Sequence, residues 1–412
     1  MQVDPGRLHE VVESFQPDFI GISLRNIDDI QINNTSFYAP FLSEVTREIR
    51  KKSTVPIILG GSGFSLFPEK LLELTKADFG ICGEGETSLP ALLECLISNG
   101  DYETIPGLVF RRDGKISVNQ KESCAVNSLA PLHRPKDLTD YYLKNSSMLN
   151  IQTQRGCAYR CCYCTYPVIE GSSVRYRSPE SVCNEMAEAA ACGARYCCIV
   201  DSVFNTSPKH VTAICQEIIR RNIKINWVCY MRPKGVTRQL IDTMVQAGLT
   251  HIEFGTDSLC DQILESYGKD FTFKDVLEAS ECARKAGVHY AHFLIIGGPG
   301  ETEETIREGF INSGYIRRSV FFSYIGMRLY PHTPLYECVI KEGTVSKETD
   351  LLSPYFYVTP HVSKERIFEM LTEFNNQRKN WIIGESTPDL VKIIHDLRTI
   401  GVAGPLWEFL VR

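Results

Sequence analysis

The sequence predicts an α/β protein: a partial, Rossmann-like doubly wound domain, then a partial (β/α)6 TIM-like barrel, then a small helical C-terminal region. Three observations carry this. Strand and helix patterns alternate over residues 15–96, and they alternate again six times from residue 148. The 412 residues also amount to two or three domains at the usual size of about 150 residues. A polar stretch containing Pro131 and Pro135 separates the two runs. We therefore expect a first domain over 1–125, a linker over 126–147, the barrel over 148–345 and the C-terminal region over 346–412.

In the first domain, residues 6–15 read as a helix and Asp18-Phe19-Ile20-Gly21-Ile22-Ser23-Leu24 as a buried strand. An amphipathic helix follows over 38–52, then the strand Val55-Pro56-Ile57-Ile58-Leu59, a helix over 67–75, a short strand over 77–82 and a helix over 89–96. Such alternation implies a parallel sheet. Glycines gather after its strands, at Gly60-Gly61-Ser62-Gly63 and Gly83-Glu84-Gly85-Glu86, along the edge where a doubly wound sheet opens its crevice. A hairpin over 108–118 turns on Asp113-Gly114. Barrel strands are expected at 148–154, 195–200, 223–230, 250–255, 290–296 and 321–328, with helices at 179–192, 208–221, 238–247, 273–286 and 303–318. Six units are too few to close a barrel of eight, so one side is open to a large substrate. Two further helices read at 364–379 and 388–400.

Composition narrows the function classes. With 44 Lys+Arg against 50 Asp+Glu the net charge is −6, which offers no basic field, so no nucleic-acid partner is expected. No apolar run approaches the ~18 residues a spanning helix needs, and Met1-Gln2-Val3-Asp4-Pro5-Gly6-Arg7 lacks the apolar core of a signal peptide, so a cytoplasmic protein is expected. Its 16 cysteines then read as reduced thiols and metal ligands rather than as a disulfide framework. Cys183, Cys192, Cys215, Cys260 and Cys282 fall in helical patterns, where a free cysteine packs as a small apolar residue.

One group of cysteines stands apart. Arg155-Gly156-Cys157-Ala158-Tyr159-Arg160-Cys161-Cys162-Tyr163-Cys164 follows the first barrel strand and contains C-x3-C-x2-C. Three thiolates within eight residues need a metal to neutralise them, and the carboxyl end of a barrel strand is where such barrels place their chemistry. Structural zinc would need a fourth ligand, and none follows at finger-like spacing. Three cysteines suit a [4Fe-4S] cluster with one iron left open. With Tyr163 just before the last cysteine, the segment resembles that of the radical S-adenosylmethionine (radical SAM) enzymes. The resemblance implies that Cys157, Cys161 and Cys164 hold the cluster and that S-adenosylmethionine is cleaved there reductively. The 5′-deoxyadenosyl radical so formed would act on an unactivated carbon of a small-molecule or lipid-like substrate. An external one-electron reductant of flavodoxin or ferredoxin type is also implied. Cys162 makes C-x4-C-x-C formally available; it reads as a thiol packed beneath the cluster.

The resemblance continues along the barrel. Val200-Asp201-Ser202-Val203-Phe204-Asn205 is similar to the D-[DS]-x-F segment of the family's cobalamin-linked branch, which implies that Asp201 and Phe204 lie near the cofactor, Asp201 accepting from its α-ammonium; an N-cap role for Asp201 stays open. Ile252-Glu253-Phe254-Gly255-Thr256-Asp257-Ser258 is similar to E-x-G-x-[ED]-S, which would put Glu253 and Asp257 against ribose or substrate, or else beside Arg232 or Lys234. Ile296-Gly297-Gly298-Pro299-Gly300-Glu301-Thr302 looks like the G-x-P-G-E-T turn, whose Gly297 and Gly298 would let the backbone approach adenine, with Thr302 capping the next helix. Arg328-Leu329-Tyr330-Pro331-His332-Thr333-Pro334-Leu335 matches a Y-P-x-T-x-L closure of structural kind.

The first domain resembles the cobalamin-binding domain of the branch associated with lipid biosynthesis, with Gly60 and Gly61 in the matching turn. That implies cobalamin on the carboxyl edge of its sheet. Two departures bear on this. The family domain opens with a strand, helix and strand ahead of the helix found here at 6–15, so a first domain truncated at its start, with weak corrinoid binding, is expected. None of the nine histidines lies in D-x-H-x-x-G, so that motif supplies no lower cobalt ligand. Two other functions are weighed: a tRNA methylthiotransferase-like enzyme, for which Cys82, Cys95 and Cys124 are oddly spaced, and a non-catalytic iron–sulfur electron carrier.

Overall fold

Ile57, Ile58 and Leu59 are buried on both faces of the chain, and a continuous apolar run of that kind makes an inner strand. In the computed structural model, which describes residues 5–129, 132–376, 378, 380–384 and 388–410, the chain divides into two compact units. The first comprises Met1–Ala125, Tyr163–Ser172 and Arg328–Tyr355, and the second Val126–Cys162, Ser173–Met327 and Phe356–Arg412.

The first unit begins with α1 (Leu8–Phe15), β1 (Ile20–Ser23), α2 (Ala39–Arg50), β2 (Ile57–Gly60), α3 (Pro68–Thr75), β3 (Phe79–Ile81) and α4 (Gly85–Ser98), and continues through β4 (Leu108–Arg112) and β5 (Lys115–Val118). Its sheet has the order β1-β2-β3-β4-β5. The expected parallel sheet is a mixed one. β1, β2 and β3 are parallel, but the hairpin joins the same sheet antiparallel, β4 pairing with β3. Asp113 and Gly114 both take positive φ, the left-handed pair that a tight two-residue hairpin requires. A buried ion pair joins segments far apart in sequence: Arg328 Nε donates to Asp28 Oδ2 at 2.7 Å, and its other nitrogens reach the carbonyls of Leu329, Leu351 and Leu352. Every charged atom there has a partner, so the pair can be held out of water.

Next in the chain come α5 (Lys136–Ser146), β6 (Met148–Ile151), β7 (Gln154–Arg155), α6 (Tyr166–Glu170) in the first unit, β8 (Arg175–Tyr176), α7 (Pro179–Ala191) and β9 (Tyr196–Ile199). These lead to α8 (Pro208–Arg221), β10 (Asn226–Met231), α9 (Arg238–Gln246), β11 (Leu249–Asp257), α10 (Asp261–Ser266), α11 (Phe273–Lys285), β12 (His289–Ile296), α12 (Glu303–Ser313) and β13 (Ser319–Ile325). The remainder is β14 (Met327–Arg328), α13 (Pro334–Lys341), β15 (Phe356–Tyr357), α14 (Lys364–Asn375), β16 (Trp381–Ile383) and α15 (Pro388–Thr399).

The barrel sheet has the order β16-β13-β12-β11-β10-β9-β6, parallel throughout, with the six expected strands in sequence order. It differs from expectation in three places. A seventh strand, β16, comes from the C-terminal region read as helical, because Trp381 is buried against Phe321 and Phe310 and pulls the chain into register beside β13. The stretch read as a linker holds α5, whose first turn is fixed by Thr139, N–H and hydroxyl both donating to the Pro135 carbonyl. Finally, α12 stops at Ser313, where Gly314 and the two residues after it close successive tight turns.

Candidate active site

The cysteine loop leaves the barrel where β6 ends. There Asp201, just after β9, turns its carboxylate onto the departing chain: Oδ1 accepts from the N–H groups of Thr153 (2.7 Å) and Gln154 (3.2 Å), and Oδ2 from the Thr153 hydroxyl (2.5 Å). With 1% of its surface exposed, Asp201 fixes the take-off of the loop, so the structure gives its acceptor capacity to protein donors. Gln154 and Arg155 then pair antiparallel with β8, and Gly156 takes a positive φ before Cys157.

Cys157 is buried, and Cys161 and Cys162 are half-buried. The boundary between the two compact units falls directly after Cys162, so Tyr163 and Cys164, both half-buried, are counted with the first unit. Neighbouring thiols differ sharply. Burial pushes the Cys161 thiol up, but the Lys269 ammonium hydrogen-bonded to its sulfur opposes the shift. Cys162 is pushed up to about 12 by burial, its N–H donates to the Tyr267 carbonyl (2.9 Å), and its sulfur rests 3.9 Å from Met327 Sδ. A thiol so placed stays protonated and apolar in behaviour.

Residues 267–270, which the sequence reading passed over, lie against this loop. The Lys269 ammonium is paired with the Asp257 carboxylate, both side chains under a tenth exposed. Burial works against its charge, yet Asp257 and Cys161 together hold Lys269 above the ordinary lysine range. Arg232 pairs with Asp270, and its guanidinium lies 4.0 Å over the Tyr159 ring. The only signal in sequence was a Tyr-Gly-Lys-Asp string after the short segment Asp261–Ser266.

The remaining expected residues scatter. Asp257 is the one brought to the loop. Phe204 is fully buried edge-on to Trp227, in the packing between sheet and helices. Glu253 accepts a hydrogen bond from Trp407 Nε1 at 3.0 Å, and burial holds its carboxyl above the usual range, with Trp407 and Tyr230 opposing. Two residues on, Gly255 is exposed, and a Cβ there would meet nothing within 4 Å, so open space lies over β11 near its carboxyl end. Gly297 and Gly298 form a turn around Glu301, which accepts from both N–H groups and is 2.9 Å from the Tyr267 hydroxyl. A Cβ on Gly298 would sit 2.4 Å from the Tyr267 ring, and Gly297 takes φ +95°, a conformation that L side chains rarely adopt. In the first unit, Gly61 (φ +94°) would place a Cβ 2.5 Å from the Leu24 carbonyl oxygen, so that turn too is glycine for close backbone contact, while Gly60 faces no such limit.

Among the described residues, no three His, Cys, Asp or Glu side chains converge on the space of one metal ion. A cubane asks for something else, one thiolate per iron, and Cys157 and Cys161 stand near enough to feel each other's charge. The donor set is of the soft, thiolate kind that iron–sulfur clusters take.

A partial parallel barrel with three closely spaced cysteines beyond its first strand defines a class of cluster-dependent enzyme. Residues 151–309 match the Radical SAM superfamily and residues 1–93 the B12 binding domain. The chain thus carries a radical SAM domain with a B12-binding domain ahead of it. It is 24% identical over 334 residues to an uncharacterized methyltransferase of Pyrococcus horikoshii, covering 78% of this chain and 71% of that protein. It is 22% identical over 402 residues to tryptophan 2-C-methyltransferase of Streptomyces laurentii, covering 81% and 67%. Its fold matches that of the radical S-adenosylmethionine methyltransferase TsrM from Kitasatospora setae, solved with cobalamin and a [4Fe-4S] cluster bound, with a TM-score of 0.88 and 23% identity over 98% of this chain and 88% of that one. Enzymes of this superfamily draw electrons from a reductant, and among the described residues no helix is long and apolar enough to cross a membrane.

Proposed function

We propose that this chain is a cobalamin-dependent radical SAM methyltransferase acting on an unactivated carbon of a small-molecule or lipid-like substrate, fed by a flavodoxin- or ferredoxin-type reductant in the cytoplasm. The observation that carries it is the C-x3-C-x2-C loop at the mouth of the barrel in a chain whose first 93 residues match a B12 binding domain. Bound here, the cluster supplies the electron that cleaves S-adenosylmethionine, and cobalamin supplies a methyl carrier.

The chain's own residues prepare that chemistry. Cys157, Cys161 and Cys164 serve as the three thiolate ligands, and Cys162, high in pKa and packed on Met327, does not. Asp201 fixes the start of the loop through Thr153 and Gln154. The space over Gly255 leaves room for S-adenosylmethionine or substrate beside Asp257. In the first unit, Gly21, Ser23, Arg25 and Asn26 are exposed along and beyond β1, leaving space for a flat ligand, and no histidine occurs in residues 20–93 to bind cobalt.

The test is anaerobic reconstitution followed by reaction with methyl-labelled S-adenosylmethionine, cobalamin and a reductant. Wild-type protein should bind about four irons and four sulfides and label the corrinoid. Alanine at Cys157, Cys161 or Cys164 should abolish both, whereas Cys162→Ala should keep the cluster. A Cys161→Ala protein that keeps it, with Cys162→Ala losing it, would reverse the ligand assignment, and unlabelled corrinoid would end the methyltransferase reading.

A further inference from the structure

We infer that residues 267–270 clamp the cysteine loop in place and that Lys269 is a positioning residue that raises the reduction potential of whatever cluster Cys161 binds. The inference rests on the reading that the loop carries a cluster.

All four residues in this run engage the loop or its neighbours. The Tyr267 carbonyl accepts from the Cys162 N–H. Gly268, at φ +73°, comes so near the loop that a Cβ would sit 2.6 Å from the Arg160 carbonyl oxygen. Lys269 donates to the Cys161 sulfur and pairs with Asp257. Asp270 holds Arg232, which covers the Tyr159 ring between the first two cysteines. The Tyr267 side chain runs the other way, its hydroxyl 3.1 Å from the Ile295 carbonyl, 2.9 Å from Glu301 and 3.0 Å from the Gly298 N–H. One short segment therefore ties the cysteine loop to the glycine turn after β12.

Electrostatics gives the run a function beyond packing. Reducing a cluster adds negative charge, and hydrogen bonds or positive charge at its sulfurs stabilise the reduced form. Lys269 is hydrogen-bonded to Cys161 and paired with Asp257, and of the two charges the ammonium acts more strongly on the sulfur. Removing each should move the potential in opposite directions, an outcome that mere loosening of the structure does not produce.

The experiment uses the full chain, reconstituted anaerobically, with redox titration followed by electron paramagnetic resonance and with iron counted after gel filtration. Lys269→Met should shift the midpoint to more negative potential, Lys269→Arg should restore it, and Asp257→Asn should shift it to more positive potential. Gly268→Ala, whose Cβ would press on the Arg160 carbonyl oxygen and come 3.7 Å from the Cys161 Cα, should lower iron retention about tenfold, as loss of an outer support of a metal site does. Midpoints for Lys269→Met and Asp257→Asn that stay at the wild-type value or move the same way would overturn the inference, as would wild-type iron retention in Gly268→Ala. If Lys269→Met fails to fold, Asp257→Asn and Gly268→Ala still decide. Wild-type protein that takes up no iron would reject the underlying cluster reading instead, a distinguishable failure.

Discussion

The mouth and the floor of the barrel both bury charged and polar side chains, yet they do so in different ways. At the floor, where β11 and β12 begin, His251 stacks on His289, hydrogen-bonds Glu408 at 2.9 Å and meets the edge of Trp407. Trp407 donates to Glu253. Both Trp407 and Glu408 come from the last helical turn, Leu406–Leu410, which seals that end. The groups satisfy one another. At the mouth, Lys269 and Asp257 lie against the cysteine loop, Tyr267 links that loop to Glu301, and open space lies over Gly255. Polar groups that close on themselves hold a fold, and those gathered about soft ligands and a gap prepare chemistry.

The mouth depends most heavily on Glu301. Its carboxylate serves the Gly297 and Gly298 N–H groups and the Tyr267 hydroxyl, all buried. Glu301→Ala orphans the Gly297 N–H and takes one of two acceptors from the Gly298 N–H and the Tyr267 hydroxyl, which keep each other and the Ile295 carbonyl; with about 1–3 kcal/mol for the orphaned donor and less for the other two, destabilisation of about 2–3 kcal/mol is expected. Thermal unfolding followed by circular dichroism measures it, and iron retention should fall too, because Tyr267 also supports Cys162. An unchanged unfolding temperature would show that the mouth does not depend on this carboxylate.

What the sequence disclosed follows the same division. The six barrel strands and the cysteine loop were legible because burial imposes continuous apolar runs and because C-x3-C-x2-C is local. Asp201 and the Gly297-Gly298 turn were located, but their observed partners are Thr153, Gln154, Glu301 and Tyr267, which no spacing rule connects. The floor was illegible for a plainer reason: Trp407 lies 154 residues from Glu253. The same holds for β16, too short at three residues to show a period, and for residues 267–270, whose value lies wholly in contacts with a distant loop. The thiols at the mouth were thus legible in sequence, while the supports of both ends became visible only in three dimensions.

A smaller effect is expected at the floor. Trp407→Phe keeps the aromatic bulk that packs on Ala291 and Val320 but removes the N–H that serves the buried Glu253 carboxylate. The cost should be about 1–3 kcal/mol, with iron content and S-adenosylmethionine cleavage unchanged. Loss of cluster in Trp407→Phe would erase the distinction between the two ends.

The subtlest effect comes from a group belonging to neither end. His292 is fully buried between Phe254 and Phe321, with Thr256 Oγ1 at 2.7 Å and Ser280 Oγ at 3.2 Å as partners, and burial pushes it down to about 3 from 6.5. It is neutral in the fold. Below pH 6.5 the unfolded chain takes up a proton here that the folded chain refuses, so this contribution to stability is complete above 6.5 and is lost as pH falls towards 3. Glu301, which burial pushes up to about 7 from 4.5, acts in the opposite sense: between those values the fold holds the extra proton, and stability is lost as pH rises through about 7. The two partly cancel in the wild type, so the measurement must be a difference. Relative to His292→Phe, wild-type stability should decline by about 1.4 kcal/mol per pH unit below 6.5. Parallel curves for the two proteins between pH 6.5 and about pH 5 would mean that His292 titrates in the fold as it does in water, and that its burial is looser than the packing around it implies.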